Sequence, residues 1–156
     1  LRLTIRAVGR LRAGPERALI DDYLARAGRA GRRLGLGPFD EAEVEDRKGG
    51  GPAAEAALLT RKLPPDAVCV ALDERGHALS SPELAERITG WRDAGRPEVV
   101  FLIGGADGLD PALRDRADLS LSFGRMVWPH ALARVMLAEQ LYRVTQILAG
   151  TPYHRA

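Results

Sequence analysis

Cysteine occurs once in these 156 residues and aromatic residues make up only 5%. Lysine is nearly absent, found only as Lys48 and Lys62. A single cysteine excludes an internal disulfide. Cys69, inside the apolar run from Ala67 to Leu72, reads as core filler in a reducing compartment. No apolar run approaches the ~20 residues needed to cross a bilayer. Arg2, Arg6, Arg10 and Arg12 interrupt every apolar stretch near the start, so the pattern of a secretory signal is not expected and a cytoplasmic location is. A formal charge of +2 is too small to identify nucleic acid as a partner by itself. Codon bias in a GC-rich genome accounts for the preference for arginine, which is nonetheless the better bidentate ligand for phosphate.

Apolar residues (46%) and charged residues (28%) are in the proportions of a globular chain, and the length suits one domain spanning residues 1–156. Residues 1–8 alternate apolar and polar, as a half-buried strand does, and Gly9 ends it. Helical spacing follows from Pro15 to Ala27, with Gly28 as the expected stop. A basic, glycine-rich connector leads to a weak acidic strand, Phe39 to Glu45, and then to a loop expected to be mobile, Asp46 to Pro52. A helix from Ala53 to Leu63 precedes a continuous apolar strand, Ala67 to Leu72. Ser80 or Ser81 can cap a helix that runs to Gly95, with Pro82 in its first turn. Then come a strand (Glu98–Ile103), a short helix (Pro111–Ala117), a short strand (Leu119–Phe123) that Met126 to Trp128 can extend, and a last helix from Pro129 to Leu148. The alternation predicts an α/β fold, a mainly parallel sheet flanked by helices.

Three stretches carry chemistry. The strand ending at Ile103 runs into Gly104-Gly105-Ala106-Asp107-Gly108, where bare backbone reaches the C-terminal edge of the sheet. Ligands bind at that edge in open α/β sheets. A side chain at Gly104 or Gly105 is expected to occlude a ligand there. The spacing is neither a dinucleotide fingerprint nor a P-loop. Asp73 and Glu74 follow the Leu72 strand end and can meet a ribose hydroxyl or an amine, or simply solvate a turn. Gly124 to His130 can flank a flat ring with Met126 and Trp128, or place Trp128 in the core. The last helix is apolar on more than one face, which calls for two covering surfaces, the sheet and a second copy of the chain. Glu139 and Arg143 stand four apart and can pair. The tail Tyr153-His154-Arg155 brings a stacking ring, a proton carrier and a phosphate ligand together.

Leu102 to Leu109, Pro129-His130 followed by Arg134 to Arg143, and Pro152 to Arg155 together resemble the RlmH type of SPOUT-class RNA methyltransferase over essentially the whole chain. Ala106 and Asp107 replace a common proline and glutamate, and residues 39–63 match only loosely. The resemblance implies a C-terminal trefoil knot, which topology rules alone do not suggest. It implies a homodimer that methylates N3 of pseudouridine1915 in the 23S rRNA of the ribosome. S-adenosylmethionine is implied as cofactor, held by Leu72, Asp73, Gly104, Gly105 and the loop Gly124, Arg125, Met126, Val127, Trp128 and Pro129. Catalytic roles fall on Tyr153, His154, Arg155, Glu139 and Arg143; no metal and no membrane are implied.

N3 of a pseudouridine must lose a proton as it is alkylated, so a proton acceptor and exact positioning are needed. His154, or Glu139 with Arg143, can serve, and the sequence does not choose between them. Two other readings compete. One is a nucleotide-binding enzyme such as an NAD-dependent oxidoreductase, built on the glycine turn. The other is a non-enzymatic RNA-binding module.

Overall fold

Five parallel strands form one sheet in the order β2-β1-β4-β3-β5. This computed structural model describes residues 1–155; Ala156, the last residue of the tail, lies outside them. The strands are β1 (Arg2–Val8), β2 (Phe39–Val44), β3 (Val68–His77), β4 (Glu98–Ile103) and β5 (Leu119–Leu121). Helices α1 (Pro15–Gly31), α3 (Ser81–Asp93) and α5 (His130–Ala149) share one face, and α2 (Gly51–Leu59) and α4 (Pro111–Arg116) take the other.

The central position of β4 explains its composition. Every residue from Glu98 to Ile103 is buried, because helices cover both faces and β1 and β3 flank it. The alternation in β1 promised one wet face. Instead Leu3, Thr4 and Ile5 are all buried, since β1 is also an interior strand. Its polar positions are satisfied locally. Thr4 Oγ1 donates to Glu98 Oε2 at 2.6 Å, and Arg6 donates to the carbonyls of Leu59 and Arg61 just past the end of α2. A cation there opposes the negative end of the helix dipole.

Several boundaries differ from expectation. Gly28 does not stop α1, which runs on to Gly31 and into a 3-10 turn, Arg32–Leu34. Helix propensity at one glycine is a small penalty beside the packing of Leu24 and Ala27 on the sheet. The loop expected to be mobile gives way to helix at Gly51, and α2 ends four residues early, at Leu59. β3 continues past Leu72 to His77, so Asp73 and Glu74 lie in a strand overhang rather than a turn. Met126 to Trp128 do not extend β5; they are an exposed loop. Ser80 caps α3 with a complete capping box closed by Glu83.

The last helix finds its partners within the chain. α5 packs most extensively on α1 and also on α3, burying Leu137, Ala138, Leu141 and Val144. Part of its second apolar face therefore covers neighbouring helices. What stays open is its beginning: Leu132 is 42% exposed, and Met126 and Val127 just before it are 75% and 76% exposed.

Candidate active site

The C-terminal ends of β3, β4 and β5 open onto a cavity of about 640 Å³. Three separate segments wall it: Leu72 to Arg75, Ile103 to Leu109, and the stretch from Leu121 to His130, with Ala133 behind. Of the ten residues assigned to a cofactor from the sequence, Leu72, Asp73, Gly104, Gly105, Gly124, Met126, Val127, Trp128 and Pro129 line it. Arg125 does not; it is exposed in the same loop. His130 reaches the cavity from the first turn of α5.

Both glycines are packed closely against other parts of the chain. A Cβ on Gly104 would stand 2.6 Å from the Gly108 carbonyl carbon, so this glycine lets the loop close on itself. A Cβ on Gly105 would meet the Glu55 carboxylate at 3.1 Å and the Val8 side chain at 3.2 Å. Both substitutions would press on protein atoms around the turn. Glu55 is pushed above the usual carboxylate range by burial and by the negative charges of Asp107 and Asp46.

Asp73 is already committed. Its carboxylate pairs with Arg114 at 3.1 Å and with Arg75 at 3.3 Å, and its side chain is only 8% exposed. It fixes the β3 overhang to α4 and is no free acceptor for a ribose or an amine. Trp128 is not a core residue; it is 42% exposed and its indole donates to the Phe123 carbonyl at 3.4 Å.

The catalytic candidates form a second cluster. Arg143 grips Glu139 through Nε and Nη2, at 2.9 Å to Oε1 and 3.0 Å to Oε2. The Tyr153 hydroxyl donates to Glu139 Oε2 at 3.3 Å, and Gln140 Nε2 to Oε1 at 3.2 Å. The Arg143 guanidinium lies 4.8 Å from the Tyr153 ring centre, and the Tyr142 ring meets Tyr153 edge-on at 4.8 Å. Burial, with the charge of Glu139, pushes the Tyr153 phenol up to about 12. His154 Nδ1 is buried and has no hydrogen-bond partner among the described residues, whereas Arg155 is exposed. Tyr153 folds back on α5.

Within one chain the two clusters are apart. Glu139 and Arg143 are nine and thirteen residues beyond His130, which is about 14 and 20 Å at the rise of an α-helix.

Sequence reasoning missed Arg134. Its guanidinium is 1% exposed and donates to Glu43 at 2.6 Å, Glu41 at 2.9 Å and the Gly9 carbonyl at 3.2 Å. Arg17 pairs with the same two carboxylates. The signal was present: Arg134, Leu137, Ala138 and Leu141 fall at i, i+3, i+4 and i+7, one buried stripe.

The family model described as predicted SPOUT methyltransferase matches residues 1–154. The chain belongs to the SPOUT methyltransferase family. Proteins named ribosomal RNA large subunit methyltransferase H from Dinoroseobacter shibae and Paracoccus denitrificans are each 67% identical to it, and the one from Ruegeria pomeroyi is 64% identical, over 99% of both chains in every case. A solved SpoU methyltransferase, AviRb from Streptomyces viridochromogenes in complex with AdoMet, aligns over 91% of this chain and 57% of its own, at 14% identity and a TM-score of 0.44. Membership in the SPOUT family sets aside the oxidoreductase and the non-enzymatic module. The five parallel strands flanked by helices are the SPOUT architecture in this chain.

The cavity suits the methyl donor such an enzyme needs. Its volume lies within the range of small-molecule sites, and it offers glycine backbone with apolar walls at Leu72, Ile103, Phe123 and Val127. Among the described residues no cluster of His, Cys, Asp and Glu is placed to hold a metal, and no helix is long and apolar enough to cross a membrane.

Proposed function

We propose that this protein methylates N3 of pseudouridine1915 in the 23S rRNA of the ribosomal large subunit, with S-adenosylmethionine as donor, and acts as a homodimer. The observation that carries the reading is the glycine-walled cavity at the sheet edge, in a chain that matches ribosomal RNA methyltransferases along its whole length. Leu72, the Gly104-Gly105 turn and the Gly124 to Pro129 loop hold the cofactor in this reading. When bound, S-adenosylmethionine supplies a methyl group activated by its sulfonium charge.

The residues of the second cluster divide the remaining work. Glu139 is saturated by Arg143, Gln140 and Tyr153, which makes it a poor proton acceptor. Tyr153 is a neutral phenol at physiological pH and donates rather than accepts. In this reading His154, the proton-carrying side chain of the tail, takes the N3 proton. Arg143 holds Glu139 and Tyr153 in place, Arg155 holds phosphate, and Tyr153 presents a ring for stacking.

The second copy solves the separation along α5. The exposed Met126, Val127 and Leu132 sit beside the cavity and offer a face for dimerisation. A partner crossing α5 in the opposite sense brings its tail to this cavity. The trefoil knot belongs to the same reading. Support comes from strand order, since β5 lies outside β3 while α5 returns to pack on α1.

The test is complementation between subunits. One variant carries Gly104→Val and binds no cofactor. The other lacks residues 153–156 and keeps cofactor affinity. Each alone is expected to leave ribosomes unmethylated, and the mixture to recover up to about a quarter of wild-type activity through one composite site. A tail-less protein that methylates ribosomes at full rate would remove His154 from the mechanism. Calorimetry that detects NAD binding but no S-adenosylmethionine binding would overturn the reading altogether.

A further inference from the structure

The end of α1 carries positive charge that no carboxylate among the described residues neutralises. Between Asp22 and Asp40 the sequence has four arginines and no acid, although the whole chain is only +2, so the remainder is net negative. Arg29, Arg32 and Arg33 are exposed, and among the described residues none pairs with a carboxylate. Arginines in the last turn oppose the helix dipole, while Arg26, one turn earlier, pairs with Asp22 at 3.1 Å. Arg26, Arg29 and Arg33 fall at i, i+3 and i+7 and form a ridge facing away from the core.

The ridge joins the tail cluster. Arg26 lies 5.9 Å from the centre of the Tyr142 ring, Tyr23 and Tyr142 are 6.1 Å apart, and Tyr142 contacts Tyr153. α5 also packs against the 3-10 turn that holds Arg32 and Arg33. On the other side of the ridge a groove of about 710 Å³ is lined by Arg29, Arg32 and the backbone of Gly28, Gly35 and Gly37. Interleaved guanidinium groups and aromatic rings, beside backbone that a ligand can approach closely, match single-stranded nucleic acid.

We propose that the strip leading from the tail cluster through Tyr142 and Arg26 to the Arg29–Arg33 ridge is a docking track for single-stranded RNA, outside the reaction centre. It deepens the RNA-methylating reading and rests on it. The arginines hold phosphates and set the register of the strand, while the tyrosines offer faces for bases. An acidic protein would use the charge but not the ordered alternation with rings.

The test uses the triple variant Arg29→Gln, Arg32→Gln, Arg33→Gln in the full chain. Its probe is a fluorescein-labelled 20-nucleotide oligouridine, followed by anisotropy across a salt series. Affinity at low salt is expected to fall at least tenfold. The slope of log K against log salt should become shallower by about 2, the loss expected for three single-strand phosphate contacts. Cofactor affinity by calorimetry and the melting temperature should match wild type. The corresponding triple lysine variant should keep the wild-type slope. A glutamine variant with wild-type affinity and slope overturns the track, as does a lysine variant that loses slope equally. Wild-type protein that binds S-adenosylmethionine but not the oligonucleotide also overturns it, and leaves the cofactor site standing. Binding of the oligonucleotide without cofactor binding supports the strip and sinks the methylation reading instead.

Discussion

Arg134 in the second turn of α5 donates to Glu43 in β2 at 2.6 Å, across 91 residues of sequence. That bond, with those to Glu41 and Gly9, fastens the helix beside the cavity to the far edge of the sheet. Arg134→Ala leaves two partly buried carboxylates with only Arg17 to balance them. A loss of about 3 kcal/mol is expected in urea unfolding, the lower end for breaking a buried ion pair. Burial raises the affinity of Glu43 for a proton, but the Leu11 amide, Arg134 and Arg17 together outweigh it and hold its carboxyl below the usual 4.5. Its contribution is therefore fully present above pH 4.5 and is lost as pH falls through the lowered value. Glu43→Gln should flatten the acid arm of the stability profile; an unchanged arm would show that Glu43 is not paired.

Tyr153 should titrate late. Its phenol is held up to about 12 by burial and by Glu139, so phenolate absorbance should show one tyrosine ionising well after the others. Because the folded value exceeds the unfolded 10.0, this group's stabilisation is intact below pH 10 and is lost as pH rises through 12. Tyr153→Phe should abolish the late step. If the late step persists, another tyrosine carries it.

The two glycines of the turn should respond unequally. Gly104→Ala forces a methyl against the Gly108 backbone and should cost about 1–3 kcal/mol, with loss of cofactor binding as the loop opens. Gly105→Ala meets the flexible end of Glu55 and Val8 and should be milder in both respects. Thermal melts and calorimetry on the pair check the order, and the reverse order would contradict the loop geometry.

A homodimer should sediment at about twice the chain mass of 16.9 kDa. Met126→Glu combined with Val127→Glu places two charges in the most exposed apolar stretch beside the cavity and should shift the protein toward monomer. Wild-type protein that stays monomeric at micromolar concentration would contradict the dimer.

The sequence by itself determined what depends on local pattern. The uninterrupted apolar run Val99 to Ile103 read as a doubly covered strand, and the glycines after it as a tight turn at its end. The segments beside the cavity were legible for that reason, because strand ends and glycine turns are written in consecutive residues. Ser80 or Ser81 before Pro82 announced a helix start in the same way, and the structure makes Ser80 the cap. Tertiary structure decided what depends on contacts between distant residues. Whether Asp73 was free or paired turned on Arg114, 41 positions away and on another element. Whether Gly28 ended α1 turned on the packing of its neighbours against the sheet, which outweighs one residue's propensity. The motifs placed Arg134 on a helix, but only the fold showed that β2 supplies its counter-charges, Glu41 and Glu43. The separation of cavity and tail along α5 was likewise invisible in the motifs. Spacing in sequence says which residues share a helix, and only the assembled fold says what each end of that helix touches.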